Sequence, residues 1–470
     1  MATDRAPLVL TAAQVAVGAG GRLRQGPADL VVGGFTTDSR RIGAGQLFIA
    51  LRGDRFDGAA FAEASLAAGA CGVLVPPDTT VEAPASAVVI EADDTLLALQ
   101  QLGQFVRRRS GARVVAITGS AGKTSTKEAT ASFLSARYAV YRNAGNLNNH
   151  IGLPLSLLEL TARPDIAVVE LGMNHAGEIS RLVALADPDV RVWTNVGDAH
   201  IGHFASIDAI ADAKAEILEG AGPATRLVAN RDDARVMSRV GGFAGVTTTF
   251  GVQAGADVRA TGVVDRGIAG TTARLETPAG SVAIEVKLPG RGPLLNVLAA
   301  TAVAIGFDVP LDAIVERTAL LTAAPRRGEV TRLARGVTLV DDSYNSSPAA
   351  LARALDAIGD ERTAPRRVAV VGEMRELGEF ADRLHAESGR RAAAAGIDLL
   401  VAVGGPPARR LADAAIAAGL SESHVQYFAT SEDAAGVVAG LLHAGDVVLV
   451  KGSRGTRTDL IADRIKEAWG

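Results

Sequence analysis

An α/β fold in three units is what this sequence predicts, on three observations. The first is length, since 470 residues exceed what one hydrophobic core ordinarily serves, and such a length suggests about three domains. The second is an apolar strand running into a glycine-rich turn and a helix start: Val114-Val115-Ala116-Ile117-Thr118-Gly119-Ser120-Ala121-Gly122-Lys123-Thr124-Ser125. The third is that short apolar runs alternate with helical stretches through two separate tracts. That alternation predicts mostly parallel sheets with helices on both faces.

The elements follow in order. Residues 1–109 hold strands over 47–51, 72–75 and 87–90, a helical stretch over 59–68, and a closing helix over 94–109. Ser110-Gly111 then reads as a boundary. Residues 110–322 carry strands over 114–117, 166–169, 191–194 and 227–229, a helix over 124–135, a β-rich excursion over 258–286 and a helix over 294–305. After Thr322-Ala323-Ala324-Pro325 a second alternation fills residues 323–470, with strands over 337–340, 368–371, 399–403 and 447–450. This last unit reads as Rossmann-like and suited to closing on the central one.

Hydrophobic content of 48% and charged content of 21% are those of a soluble globular chain. A formal charge of −4 without a long basic run gives no reason to expect nucleic acid as a partner, and Arg107, Arg108 and Arg109 read as a solvated helix end. The lone Cys71 excludes an internal disulfide and reads as a small buried residue of a reducing compartment. The first twenty residues lack a signal-peptide pattern, and no run reaches the roughly 18 uncharged apolar residues of a membrane span. The expectation is a cytoplasmic monomer without membrane insertion.

Chemistry concentrates on the loop. Gly119 and Gly122 let backbone N–H groups approach an anion, Lys123 brings a cation, and Thr124 offers a hydroxyl to Mg²⁺. Ser120, Ala121 and Ser125 complete a cradle whose helix N-terminus favours phosphate oxygens. The position five before Gly122 is Ile117, so this is a short T-G-x-x-G-K-T loop, and a nucleoside triphosphate is the expected ligand. Glu170 directly follows an apolar run, at the strand end where open α/β sheets bind ligands, and is placed to hold Mg²⁺. His200 sits similarly beyond the strand over 191–194, with His203 as a rival. Lys214, on a helix predicted over 207–218 among Asp208, Asp212 and Glu216, reads locally as a solvated surface lysine. Asn146, Asn148 and Asn149 read as turn residues, as does Asp38-Ser39.

Seven segments in register resemble the Mur ligase family. They are the loop from Thr118 to Ser125; Asn143-Ala144-Gly145-Asn146-Leu147-Asn148-Asn149; Glu170-Leu171-Gly172-Met173-Asn174-His175-Ala176-Gly177-Glu178-Ile179; Ala213-Lys214-Ala215-Glu216-Ile217; Asp341-Asp342-Ser343-Tyr344-Asn345-Ser346-Ser347-Pro348; Val371-Gly372-Glu373-Met374-Arg375-Glu376-Leu377-Gly378; and Leu449-Val450-Lys451-Gly452-Ser453-Arg454. The resemblance spans nearly the whole chain. It implies ATP and two Mg²⁺ ions as cofactors, with Lys123 on the β/γ-phosphates and Thr124, Glu170 and His200 as metal ligands. It makes Lys214 a lysine carbamylated by CO₂. From a reference pKa near 10.4, holding a lysine neutral at pH 7 costs roughly 4.6 kcal/mol, which a metal bound by the carbamate would offset. Lys123, Lys214 and His200 are then the catalytic set.

The resemblance also implies a UDP-binding first unit through Ser39 and Arg40, a UDP-sugar loop at Asn146, Asn148 and Asn149, and an adenine contact at Asn296. Where the family usually has His-Asn, this chain has Gly292-Pro293. The expected nucleotide arginine falls at Arg326, at Arg327 or at the position of Glu329, with Arg327 preferred, and Asp342 joins the nucleotide contacts. Tyr344, Asn345 and Ser346 fall to the incoming substrate. The branch of the family that these segments favour joins D-alanyl-D-alanine to UDP-N-acetylmuramoyl-tripeptide. The alternatives are a sibling or folylpolyglutamate-type ligase and, in another class, a phosphate-loop regulator without ligation.

Overall fold

Among the described residues three large sheets succeed one another along the chain, and Leu10–Thr11 pairs with Val31–Val32 in a small two-stranded one. The computed structural model describes residues 5–53, 56–361 and 363–470. Its first sheet has the strand order Arg22–Gln25, Val88–Glu91, Gly72–Val75, Gln46–Ile49, Gly34–Thr36, parallel except for the edge strand Arg22–Gln25. The Ala/Val-rich N-terminal stretch forms a helix, Ala12–Gly18, started by a capping box between Thr11 and Gln14. Cys71 is only partly buried, and its thiol is free.

The helix Thr95–Ser110 joins the first sheet to the second. Asp94 accepts from the backbone N–H groups of Leu96 and Leu97 at its start, and Gly111, at φ 71°, ends it in the left-handed conformation that glycine tolerates. One expectation is corrected here. Arg107 is buried, and its guanidinium donates to the carbonyls of Ala112, Ala186 and Asp187 and pairs with Asp189 at 3.0 Å. Only Arg108 and Arg109 form a solvated end. Three backbone carbonyls and a carboxylate supply the partners that a buried guanidinium requires.

The central sheet has nine strands, ordered Gly280–Val286, Thr271–Thr277, Val258–Asp265, Val246–Gly251, Arg226–Asn230, Val190–Trp193, Arg113–Thr118, Ile166–Glu170, Val140–Arg142. The strands from Val140–Arg142 to Val258–Asp265 run parallel, and the last two add antiparallel, so the β-rich excursion is the far edge of this sheet. Alternation along Arg113–Thr118 splits its side chains between two cores. Val115 and Ile117 pack with the helices Lys123–Leu134 and Gly292–Gly306, and Val114 and Ala116 with Gly152–Leu158 and Glu178–Ala186.

The third sheet has six strands, ordered Glu329–Arg332, Thr338–Asp342, Val447–Lys451, Arg367–Gly372, Leu399–Val403, Val425–Phe428, all parallel but the first. Its strand ends face the central sheet, and the two meet where Gly202 N–H donates to the Glu376 carbonyl at 2.8 Å. Glycine is required there, because a Cβ on Gly202 would stand 2.5 Å from the Gly378 nitrogen.

Candidate active site

The phosphate loop is held open by its neighbours. Between the strand Arg113–Thr118 and the helix Lys123–Leu134, Gly119 adopts φ 150° and Gly122 φ 80°, conformations that side chains resist. Asn195 reads the loop's backbone, accepting from Ala121 N–H and donating to Ala121 O, each at 2.9 Å. Ser120 Oγ accepts from Gly197 N–H at 2.8 Å, and Lys123 Nζ donates to Gly119 O at 2.7 Å.

The carboxylate beside the loop is fixed by sheet register. Glu170 ends its strand directly opposite Ile117, so the end of one strand delivers the acid where the next begins its loop. Thr124 Oγ1 donates to Glu170 Oε2 at 2.8 Å, and Asn148 Nδ2 to Oε1 at 2.7 Å. Asn143 Oδ1 accepts from the Glu170 N–H at 3.1 Å. A hydroxyl and a carboxylate this close fit Mg²⁺, which takes one or two carboxylates together with phosphate oxygens and water. Among the described residues no group of three or more His, Cys, Asp or Glu side chains converges on a metal position.

Lys214 overturns its local reading. It is 2% exposed, and no carboxylate among the described residues pairs with it. Burial, and then the neighbouring Lys123 ammonium, push its amine well below the ordinary lysine range. The predicted helix runs as Ile207–Ala215 with a tighter last turn, Glu216–Leu218. At 100° per residue the acids two and six positions away project roughly 200–240° from Lys214. They are engaged on that outer side: Asp208 with Arg235, Asp212 with Arg239, and Glu216 with the N–H groups of Gly177 and Ser180.

A cleft of about 1060 Å³ opens above the loop, and both larger sheets line it. The central sheet contributes the loop from Ser120 to Ser125, Asn146, Asn148, Asn149, Glu170, His200 and Asn296. Asn149 Oδ1 turns the chain into the helix Gly152–Leu158 by accepting from Gly152 N–H at 2.8 Å. Asn296 Oδ1 accepts from Thr126 Oγ1 at 3.2 Å and would lie 2.4 Å from a Cβ on Gly122, which places it against the loop. Lys123 is lowered from the ordinary range by desolvation, against the pull of Glu170 and with the push of Arg327. His200 Nδ1 bonds Glu376 Oε2 at 2.5 Å, leaving Nε2 as its remaining ligand atom.

The third sheet supplies the opposite wall. Arg326 is bound to Asp459 and Asp463, whereas Arg327 lines the cleft with its guanidinium 3.9 Å from the Tyr344 ring centroid. Lys451, buried, donates to Asp342 Oδ2 at 2.6 Å and to Asn345 O at 2.9 Å. Ser346 Oγ is buried without a hydrogen-bond partner among the described residues. Ser39 and Arg40 are not brought to this cleft. They begin a short turn on the first sheet, where the Arg40 guanidinium forks onto Asp38 and holds that carboxyl down to about 2. Sequence reasoning missed Asn195, Arg353 and Glu376 as cleft residues. Glu376 and Lys451 lie within segments that resemble the family, and for Lys451 a lysine closing an apolar strand is the signal that could have found it.

A phosphate loop with a facing carboxylate, under a cleft shared with a second parallel sheet, defines an ATP-using two-substrate enzyme. Family models agree: the Mur ligase middle domain matches residues 117–304, the Mur ligase glutamate ligase domain 326–454, and the Mur ligase family catalytic domain 31–113. The chain belongs to the Mur ligase family. It is 40% identical over 379 residues, 80% of this chain and 82% of the relative, to the UDP-N-acetylmuramoyl-tripeptide–D-alanyl-D-alanine ligase of Escherichia coli K12. It is 32% identical to the enzyme of that name in Bacillus subtilis 168, covering 93% and 94% of the two chains. A crystal structure of MurF from Acinetobacter baumannii superposes with a TM-score of 0.88 at 30% identity, covering 98% of this chain and 100% of that one.

Proposed function

We propose that this protein joins D-alanyl-D-alanine to UDP-N-acetylmuramoyl-tripeptide at the expense of ATP, releasing ADP and phosphate. The observation that carries the reading is the phosphate loop with Thr124 on Glu170, set under a cleft walled by the third sheet, in a chain 40% identical to a ligase of that name. A MurF from Thermotoga maritima, 28% identical with a TM-score of 0.81 over 93% of this chain and 98% of that one, was crystallised in complex with ADP, which supports ATP at the loop. The units 1–109, 110–322 and 323–470 then take the UDP-sugar, the nucleotide and the dipeptide, as a cytoplasmic monomer. Among the described residues no helix is long and apolar enough to cross a membrane.

The chemistry needs charge neutralisation and positioning. The acceptor's terminal carboxylate attacks the γ-phosphorus, the bond to the β-phosphate oxygen breaks, and an acyl phosphate and ADP result. The dipeptide amine then attacks the acyl carbon, the carbon–oxygen bond breaks, phosphate leaves, and the amine's proton passes to solvent. Lys123 and Arg327 face the phosphates, and the loop N–H groups from Gly119 to Ser125 orient them. Asn296 holds adenine, Asp342 the ribose side, and Tyr344, Asn345 and Ser346 the dipeptide. Asn146, Asn148 and Asn149 border the UDP-sugar, whose uridine end falls to Ser39 and Arg40. Thr124, Glu170, His200 through Nε2, and a carbamate on Lys214 would hold two Mg²⁺ ions, which supply further neutralisation of phosphate charge.

Burial favours that carbamate, because the neutral amine is the form that attacks CO₂: the nitrogen–carbon bond forms and a proton leaves. The fold already lowers the Lys214 amine well below its ordinary range, so less of the deprotonation cost remains to be met. The test is a panel of amines against UDP-N-acetylmuramoyl-tripeptide with ATP. Phosphate release should require both the acceptor and D-alanyl-D-alanine, and release with the acceptor and no amine would contradict the reading.

A further inference from the structure

Arg353 lies on the helix Pro348–Gly359 of the third sheet, yet it is exposed into the cleft. It reaches the start of a central-sheet helix: a Cβ on Gly292 would stand 3.9 Å from Arg353 Nε. Asn296, which adjoins the phosphate loop, is one turn further along that helix. The arginine therefore belongs to the nucleotide side of the cleft, although the opposite sheet carries it. Asp198 and Asp342 face it, but each has another donor. Asp198 Oδ1 accepts from Ala349 N–H at 3.4 Å, and Asp342 Oδ2 from Lys451 Nζ at 2.6 Å. Among the described residues no hydrogen bond or ion pair holds the Arg353 guanidinium. Its five N–H donors, in a fixed fork, are free to bind an anion.

We propose that Arg353 is a nucleotide-binding residue supplied across the cleft by the third unit, its guanidinium donating to the ribose–phosphate portion of ATP on the loop. Bound ATP then bridges the two sheets, and Asp198 and Asp342, which face the guanidinium without bonding it, leave its fork to the nucleotide. The inference rests on the nucleotide reading of the loop. The cleft would also receive the dipeptide carboxylate, and the proximity of Gly292 favours the nucleotide over it.

The test is calorimetric binding of a non-hydrolysable ATP analogue with Mg²⁺ to the full chain and to Arg353→Ala and Arg353→Lys. Loss of a hydrogen bond to a charged group should weaken the analogue about tenfold or more in the alanine variant, and lysine should restore part of it. The KM for ATP should rise in step, while UDP-sugar affinity and the KM for D-alanyl-D-alanine stay put. Unchanged analogue affinity, or a rise confined to the dipeptide KM, would overturn the proposal. Because analogue binding is read without turnover, a wild-type chain that binds nucleotide but does not ligate would sink the ligase reading and leave this result standing.

Discussion

The Thr124 hydroxyl donates to Glu170 Oε2 across 2.8 Å, tying the first turn of the loop helix to the end of the neighbouring strand. Glu170→Gln keeps the shape and the Asn148 contact but removes the charge. ATP turnover should fall about 100-fold or more, since a metal contributes several kcal/mol of transition-state stabilisation, with a raised Mg²⁺ requirement. Phosphate release across a Mg²⁺ series checks this. Turnover within about threefold of wild type would remove Glu170 from the metal's ligands.

Gly119→Ala tests whether the loop's shape depends on its glycine. A Cβ there would stand 1.9 Å from Thr194 Oγ1, far inside contact distance, at an unfavourable φ of 150°. Unfolding by denaturant should show a loss of about 1–3 kcal/mol, together with weakened nucleotide binding. Wild-type stability and affinity together would show that the loop tolerates a side chain.

Much of this was legible in the sequence because it is local. The strand, loop and helix around Lys123 announce themselves through apolar run, glycines and helix start, and Glu170 through its place at a strand end. Lys214 was misread because counting neighbours along the chain ignores helical rotation: its acidic neighbours project away from it toward Arg235 and Arg239. Arg107 was misread for a related reason, since two of the three carbonyls that receive it lie about eighty residues further on. The His200 bond to Glu376, 176 positions apart, and the reach of Arg353 to Gly292 depend on how two sheets dock, which no local pattern encodes.

Lys214→Ala should lower turnover about 100-fold or more, and formate or acetate should restore part by filling the vacated ligand position. Full activity in the alanine variant would return Lys214 to a purely structural role. Its linkage gives a second reading. The folded amine titrates well below the unfolded value of 10.5, so between the two the unfolded chain holds a proton that the folded chain lacks. Stability therefore falls as pH drops through that window and recovers above 10.5. Lys214→Met, in CO₂-free buffer at pH 7, should melt higher than wild type, with the difference vanishing at high pH. Equal melting temperatures would contradict the buried, neutral amine.

The His200–Glu376 bond at 2.5 Å and the Gly202–Glu376 contact hold the central and third sheets together. Glu376→Ala should enlarge the radius of gyration of the ligand-free chain in small-angle scattering. Saturating ATP analogue and UDP-sugar should bring variant and wild type to one smaller value. Identical profiles with and without ligands would count against closure of the third unit.

Ligation through an acyl phosphate is the central claim, and oxygen transfer tests it most directly. UDP-N-acetylmuramoyl-tripeptide labelled with ¹⁸O in its terminal carboxylate is incubated with ATP and D-alanyl-D-alanine, and the released phosphate is weighed by mass spectrometry. Attack of that carboxylate on the γ-phosphorus carries one labelled oxygen into each phosphate formed alongside the new amide. Phosphate free of label, with ADP still produced, would show that water and not the carboxylate takes the γ-phosphoryl group.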